Sequence, residues 1–242
     1  MKLIFIRHGD PDYEKDSLTE QGRREAGLLA PRIPKLNAKE YYVSPLGRAK
    51  LTAKIALEGT GIEPETLWWL KEFAIHVVRP GLEKDMSVPW DWLPEHWTKA
   101  DEFYDADKWA DNPAMRDADI REKQKAVTDE FDRFLKEHGY VREERMYKAV
   151  KPNNDTVVFF CHFGLMSLLL AHLQSISPML IWQGFISAPT SVTTVVTEER
   201  TPGNVQWRCT AFGDTSHLYA GGMDPGFSGR FCECYTNFDE RH

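Results

Sequence analysis

The stretch Lys2-Leu3-Ile4-Phe5-Ile6-Arg7-His8-Gly9 decides the fold. Leu3 to Ile6 are all apolar and two are β-branched, which reads as a strand buried on both faces. The run stops at an arginine, a histidine and a glycine. Open α/β sheets keep their chemistry beyond the carboxyl ends of their strands, so other groups are expected to gather around His8.

A second stretch repeats the pattern. Glu40 to Val43 reads as a short strand, followed by Ser44-Pro45-Leu46-Gly47-Arg48-Ala49. Ser44 is a natural N-cap and Pro45 suits a first helical position. Ala49, Ala53 and Ala56 share a face with Leu46 and Thr52, so a helix is expected to about Glu58, where Gly59 and Gly61 end it. A third case is Thr156 to Cys161, a continuous apolar run ending in His162-Phe163-Gly164, before an apolar helix over Leu165 to Leu173. If these strands are parallel, Arg7, His8, Arg48 and His162 converge at one sheet edge. Two guanidinium forks, two imidazoles and helix N-termini in one cleft make an anion site suited to phosphate.

Between these motifs, Thr19 to Ala30 is predicted helical, with Thr19 as N-cap or Ser17-x-x-Glu20 as a capping box. Glu65 to Leu70 is predicted as a strand, followed by Lys71-Glu72-Phe73. From Arg79 to Arg116 regularity is lost among Pro80, Pro89, Pro94 and Pro113, and Trp90, Trp92, Trp97 and Trp109 cluster there. An irregular segment of this length points to a lid or insertion. Its tryptophans are weighed about two to one toward packing over substrate contact. Asp117 to His138 keeps helical spacing, Tyr140 to Asn154 reads as a charged connection, and Ser191 to Thr197 and Val205 to Phe212 read as two later strands joined through a Pro202-Gly203-Asn204 turn. The Gly-rich tail from Gly221 is left unassigned.

Composition bounds the rest. The 242 residues are 42% hydrophobic and 28% charged with a formal net charge of −7, which suits a globular protein and argues against nucleic-acid or anionic-membrane binding. Four cysteines include Cys161 in an apolar run and the Cys232-x-Cys234 pair. No companion pair has zinc spacing, so they read as incidental thiols. His76, His96, His138, His172 and His242 also lack metal-ligand spacing, and His217 is read as structural. No signal-peptide pattern opens the chain and no apolar run reaches about 18 residues, so the cytoplasm is the expected compartment.

Arg7-His8-Gly9, Leu18-Thr19-x-x-Gly22, Ser44-Pro45-Leu46-Gly47-Arg48-Ala49-x-x-Thr52-Ala53 and His162-x-Gly164, in that order, resemble the histidine phosphatase superfamily, phosphoglycerate-mutase-like branch. The matches span residues 2–72 and 156–217. The resemblance implies a three-layer α/β/α fold: a mostly parallel mixed sheet, helices on both faces, and a lid or insertion at about 80–150 within a single domain over 1–242. It implies a phosphatase that hydrolyses small phosphate monoesters through a phosphohistidine. His8 would be the nucleophile. Arg7, Arg48, His8 and His162 would bind phosphate, and Glu72, after the third strand, would be the acid/base. Glu83 is the reserve acid; Asp10 and Asp12 are outsiders. No metal or cofactor is expected. Where the acid-phosphatase branch carries its acid, after the second histidine, this chain has Phe163. The family's mutases carry a small hydroxyl residue and an asparagine in the loop after the first histidine; here Asp10-Pro11-Asp12-Tyr13-Glu14 stands instead. That acidic loop favours a phosphatase over the first alternative, a phosphoglycerate mutase; the same altered loop motivates the second, a non-catalytic phospho-ligand sensor. A small phosphorylated metabolite is the expected partner, with no nucleic acid and no membrane, and a homodimer is left open.

Overall fold

The computed structural model describes residues 1–80 and 88–238. In chain order the strands are β1 (Lys2–Arg7), β2 (Pro11–Asp12), β3 (Ser17–Leu18), β4 (Glu40–Val43), β5 (Glu65–Thr66), β6 (Tyr140–Glu143), β7 (Met146–Ala149), β8 (Thr156–Cys161), β9 (Val192–Thr201) and β10 (Asn204–Asp214). The helices are α1 (Glu20–Leu29), α2 (Gly47–Ala56), α3 (Pro94–Trp97), α4 (Pro113–Arg116), α5 (Ile120–Glu137), α6 (Phe163–Gln174), α7 (Pro178–Gly184) and α8 (Ser216–Ala220).

Eight strands form one mixed sheet in the order β5-β4-β8-β1-β9-β10-β7-β6. β5, β4, β8 and β1 run parallel, and each step from β1 outward through β9 to β6 is antiparallel. β8 lies between β4 and β1, and all six of its residues are buried, as its unbroken apolar run requires. Side-chain alternation along β1 divides the core. Leu3 and Phe5 face one cluster with Phe131, Leu135, Leu165 and Leu169; Ile4 and Ile6 face another with Leu29, Ala49 and Ala53. Helices therefore cover both faces, giving the three layers expected.

Register places the chemistry. Arg7 pairs with Cys161 in the β1–β8 ladder, and the His8 N–H donates to the Cys161 carbonyl at 3.0 Å. Val43 pairs with Phe160, and the Ser44 N–H donates to the Phe160 carbonyl at 2.9 Å. Residues 7, 8, 44 and 162 thus leave neighbouring parallel strands at the same edge.

Several local expectations need correction. Thr19 is the N-cap of α1, its side chain accepting from the Gly22 N–H, which decides between the two starts. Ser44 does not cap α2: the helix starts at Gly47 after an extended Leu46. Strand β5 stops at Thr66 and a short 3-10 helix takes over at Trp68–Leu70. The Leu67 N–H makes a last ladder bond to the Val43 carbonyl, and the Leu70 N–H then turns back to the Leu67 carbonyl. The charged connection at 140–154 contains the β6–β7 hairpin, which extends the sheet edge with polar, partly exposed strands. Such edges are guarded by charge, which hides them from a hydrophobicity pattern. Helix α7, capped by Ser177 with Pro178 at its first position, has no counterpart in the expected elements.

Candidate active site

Arg7, His8, Ser44 and His162 are all buried, His162 and Ser44 completely. The His8 and His162 rings lie 5.1 Å apart at 54°. The Nδ1 of His8 is 2.8 Å from the Gly9 carbonyl. A carbonyl can only accept, so Nδ1 carries the proton and Nε2 keeps its lone pair. Burial, reinforced by the positive charge of Arg7, holds the His8 pKa well below the ordinary range, so the ring is neutral near pH 7. Burial acts on His162 the same way, with His8, Arg48 and Arg7 adding to it.

Two glycines exist here for close approach. A Cβ on Gly9 would stand 2.6 Å from the Gly22 carbonyl oxygen, and one on Gly22 would stand 2.3 Å from the Asp10 carbonyl oxygen. The backbone after His8 therefore lies flat against the start of α1. Thr52, one helical turn beyond Arg48, accepts the Gly9 N–H at 3.0 Å and donates to the Arg48 carbonyl at 2.8 Å. That ties α2 to the histidine loop.

The two arginines are held differently. Nη1 of Arg7 donates to the Ser187 carbonyl at 2.5 Å and the Ser228 carbonyl at 3.2 Å. Arg48 Nη1 donates to Asp16 Oδ1 at 2.6 Å, the Gly47 N–H donates to Asp16 Oδ2 at 2.6 Å, and the Tyr13 ring sits 5.4 Å from the guanidinium. The Nε atoms of both arginines are buried without a partner among the described residues, which leaves donors for an anion.

The helix N-termini are occupied. The Asp16 carboxylate takes the Gly47 N–H of α2. Glu72 takes the Leu165 N–H at 2.8 Å and the Gly164 N–H at 3.2 Å of α6, and its own neighbour Phe73 at 2.8 Å. The free helix-end donors expected from sequence are therefore spent on protein carboxylates. Glu72 is fixed in this way to the first turn of α6, which follows His162 directly. Burial pushes its pKa up, opposed by those backbone bonds and by Arg48, so it is readier than an ordinary glutamate to hold a proton. Glu83 lies outside the described residues. Asp10 bonds the Thr19 hydroxyl at 2.7 Å and Asp12 pairs with Lys15 at 2.8 Å, so both serve the loop itself.

Sequence reasoning missed four contributors. Ser44 bonds His162 Nε2 at 2.7 Å. Asp16 and Tyr13 hold Arg48. Glu25, fully buried, accepts the Asp10 N–H at 2.8 Å and the Gly226 N–H at 3.0 Å, with burial raising its pKa. The unassigned tail also reaches Arg7 through Ser228 and Gly229, and a Cβ on Gly229 would meet the guanidinium at 3.0 Å. Only the tail's glycines carried a signal, since close approach of backbone to side chain calls for them. His217 Nε2 meets Thr190 Oγ1 at 3.0 Å, and the Thr190 N–H donates to the His8 carbonyl at 3.1 Å.

The model of the histidine phosphatase superfamily (branch 1) matches residues 3–210. The chain belongs to this superfamily. At that level it is a phosphatase. No curated protein matches the chain. Its fold is shared by phosphoserine phosphatase from Entamoeba histolytica, solved with 3-phosphoglyceric acid, at 21% identity and TM-score 0.58 over 90% of this chain and 98% of that one. It is shared also by mycobacterial glucosyl-3-phosphoglycerate phosphatase, solved with inorganic phosphate, at 22% identity and TM-score 0.53 over 89% and 98%. In this branch-1 chain, no group of three or more His, Cys, Asp or Glu among the described residues is placed to hold a metal ion. All four cysteines are free; Cys161 is buried, which pushes its thiol pKa up. Among the described residues no helix is long and apolar enough to cross a membrane.

Proposed function

We propose that this protein is a metal-independent phosphomonoesterase that acts on small phosphorylated metabolites through phospho-His8. The observation that carries the reading is the Nδ1–Gly9 carbonyl contact, which leaves Nε2 of a neutral, buried His8 as the nucleophile beside Arg7, Arg48 and His162. Nε2 attacks phosphorus while the bond to the ester oxygen breaks. Glu72, protonated, gives its proton to the leaving oxygen. Water then attacks the phosphohistidine, Glu72 takes the proton back, and inorganic phosphate leaves with Nε2 restored. Arg7, Arg48 and His162 hold the non-bridging oxygens as charge redistributes. Loss of one such donor is expected to cost on the order of 10²–10³ in rate.

Hydrolysis is favoured over mutase chemistry by the loop after His8. Asp16 pairs with Arg48 at 2.6 Å, and the acidic residues Asp10, Asp12 and Glu14 of the same loop would repel a second anionic group on the substrate. The phosphatases among the solved relatives agree with this reading. The segment at 88–116 fits a lid: Trp90 packs edge-on against Phe163 at 6.2 Å, beside His162. The acidic net charge argues against a nucleic-acid or anionic-membrane partner, and the cytoplasm is the compartment we propose.

The test is a rapid-quench experiment with a labelled aryl phosphate in the presence of a chelator. Wild type should form an acid-labile, base-stable phosphoprotein and turn over. A fully active His8→Ala variant, or a wild type that never traps phosphate, would sink the proposal. Robust conversion of 3-phosphoglycerate to its isomer would replace it with the mutase reading.

A further inference from the structure

Buried polar atoms without a partner are rare, and each calls for an explanation such as an absent water, ion or ligand. Three of those among the described residues belong to Arg79 and Trp92, two residues of the wall of one cleft that shares no residue with the phosphate site. The cleft opens on the irregular segment, encloses about 980 Å³, and is walled by Arg79, Pro80, Trp92, Pro113 and Ala114 among others. Arg79 has a side chain only 1% exposed. Its Nη2 donates to Asp91 at 3.0 Å, and Asp91 itself is 43% exposed. Arg79 Nε and Nη1 and the indole Nε1 of Trp92 have no partner among the described residues.

A buried guanidinium with one half-exposed counter-charge among the described residues is an expensive arrangement unless something else completes it. Trp92 cannot rotate cheaply to satisfy its own N–H. It is 7% exposed and its ring stands edge-on to Phe103 at 4.9 Å and 81°. Arginine and indole donors have no acceptor capacity, so the missing partner must accept. A guanidinium fork matches a planar carboxylate or a phosphoryl group with two parallel bonds. Pro80, Pro113, Ala114 and the Trp92 ring give the cleft an apolar wall, and Lys99, Glu95 and Asp117 bring both signs of charge to the rest of its lining. A concave cleft whose lining presents more apolar than polar surface is the mark of a small-molecule site.

We infer that this cleft binds a small organic anion, its acidic head on Arg79 and the Trp92 N–H and its apolar body against Pro80, Pro113 and Ala114. The site is separate from the phosphate pocket at His8.

Isothermal titration calorimetry with benzoate and with phenylphosphonate tests it; the two probes distinguish a carboxylate head from a phosphoryl head. Wild type should bind at least one of them saturably. Arg79→Gln should weaken that binding by tenfold or more, the worth of one charge-assisted bond, and Trp92→Phe should weaken it severalfold. Binding should survive in Arg48→Ala, in which the phosphate pocket is disabled. Absence of saturable binding of either probe overturns the inference. So does binding lost in Arg48→Ala and kept in Arg79→Gln, because the probe then sits in the phosphate pocket. If Arg79→Gln does not fold by circular dichroism, Trp92→Phe and the cleft-filling Ala114→Trp decide the matter, and undiminished affinity in both overturns it.

Discussion

Ser44 and His162 are joined by a hydrogen bond of 2.7 Å between two side chains that are wholly buried. His162 Nδ1 has no partner among the described residues. When the Ser44 hydroxyl donates to Nε2, the ring's proton is left on Nδ1, as a donor free for a phosphate oxygen. Ser44→Ala removes that choice of tautomer. We expect kcat to fall roughly tenfold or more with a smaller change in KM, together with about 1–3 kcal/mol of stability lost to the unsatisfied imidazole nitrogen. Steady-state kinetics and thermal unfolding measure both. An unchanged kcat would show that Ser44 does not select the tautomer.

Glu72 divides the two half-reactions. Glu72→Gln keeps the side chain's shape and can still accept the Leu165 N–H, but it can neither give nor take a proton. An ester with a good leaving group, such as p-nitrophenyl phosphate, needs little acid in the first step, so phosphohistidine should still form. Its hydrolysis should slow by about 10²–10⁴. The expected result is a stoichiometric burst of nitrophenol followed by very slow turnover. Burst-free slow kinetics would point to a different acid, with Glu83 the first alternative.

Acid should destabilise the fold through its buried histidines. Burial holds His217 down to about 4, and His8 and His162 lie well below their ordinary value. An unfolded histidine takes up its proton near pH 6.5. As pH falls from there toward the depressed native values, the unfolded chain binds more protons than the native one, so stability falls. The penalty is absent at pH 7 and grows by up to about 2 kcal/mol per histidine between pH 6.5 and 5. Urea midpoints at pH 7 and pH 5 read it. His217→Asn should shrink the difference, and a midpoint independent of pH contradicts the account.

Gly22 holds the histidine loop by having no side chain. Gly22→Ala would press a methyl within 2.3 Å of the Asp10 carbonyl oxygen. Backbone cannot yield as a side-chain tip can, so α1 must shift away from the loop after His8. Overpacking of this kind costs about 1–3 kcal/mol, and displacement of reacting groups by even an ångström can cost about 10² in rate. Activity should drop by far more than stability, as kcat/KM and a melting curve would show. A variant of full activity would mean the loop tolerates the shift.

Much of this site is legible in the sequence because strand ends announce it. An apolar run that stops at Arg7-His8 or at His162 needs no knowledge of neighbours to be noticed. The parallel register of β4, β8 and β1 then brings the ends together. The roles of Ser44, Asp16 and Glu25 are not legible in that way. Ser44 looks like a helix cap, Asp16 like loop charge and Glu25 like the polar face of α1. Each contact spans a sequence separation that only packing can close: 118 residues for Ser44 with His162, 32 for Asp16 with Arg48 and 201 for Glu25 with Gly226.

The sequence by itself determined the buried strands, the order of the motifs and the residues at the strand ends, because burial and period are local properties of the chain. Tertiary structure alone decided what those residues touch. It turned the α2 and α6 N-termini toward Asp16 and Glu72, and it set the Gly9 carbonyl on Nδ1 of His8 and Ser44 on Nε2 of His162. It also folded the tail back onto Arg7. Polar side chains have many partners available in isolation, and only the packed backbone selects among them. What began as an apolar run ending in Arg7-His8-Gly9 is, in the folded chain, a neutral imidazole with one nitrogen committed and the other free.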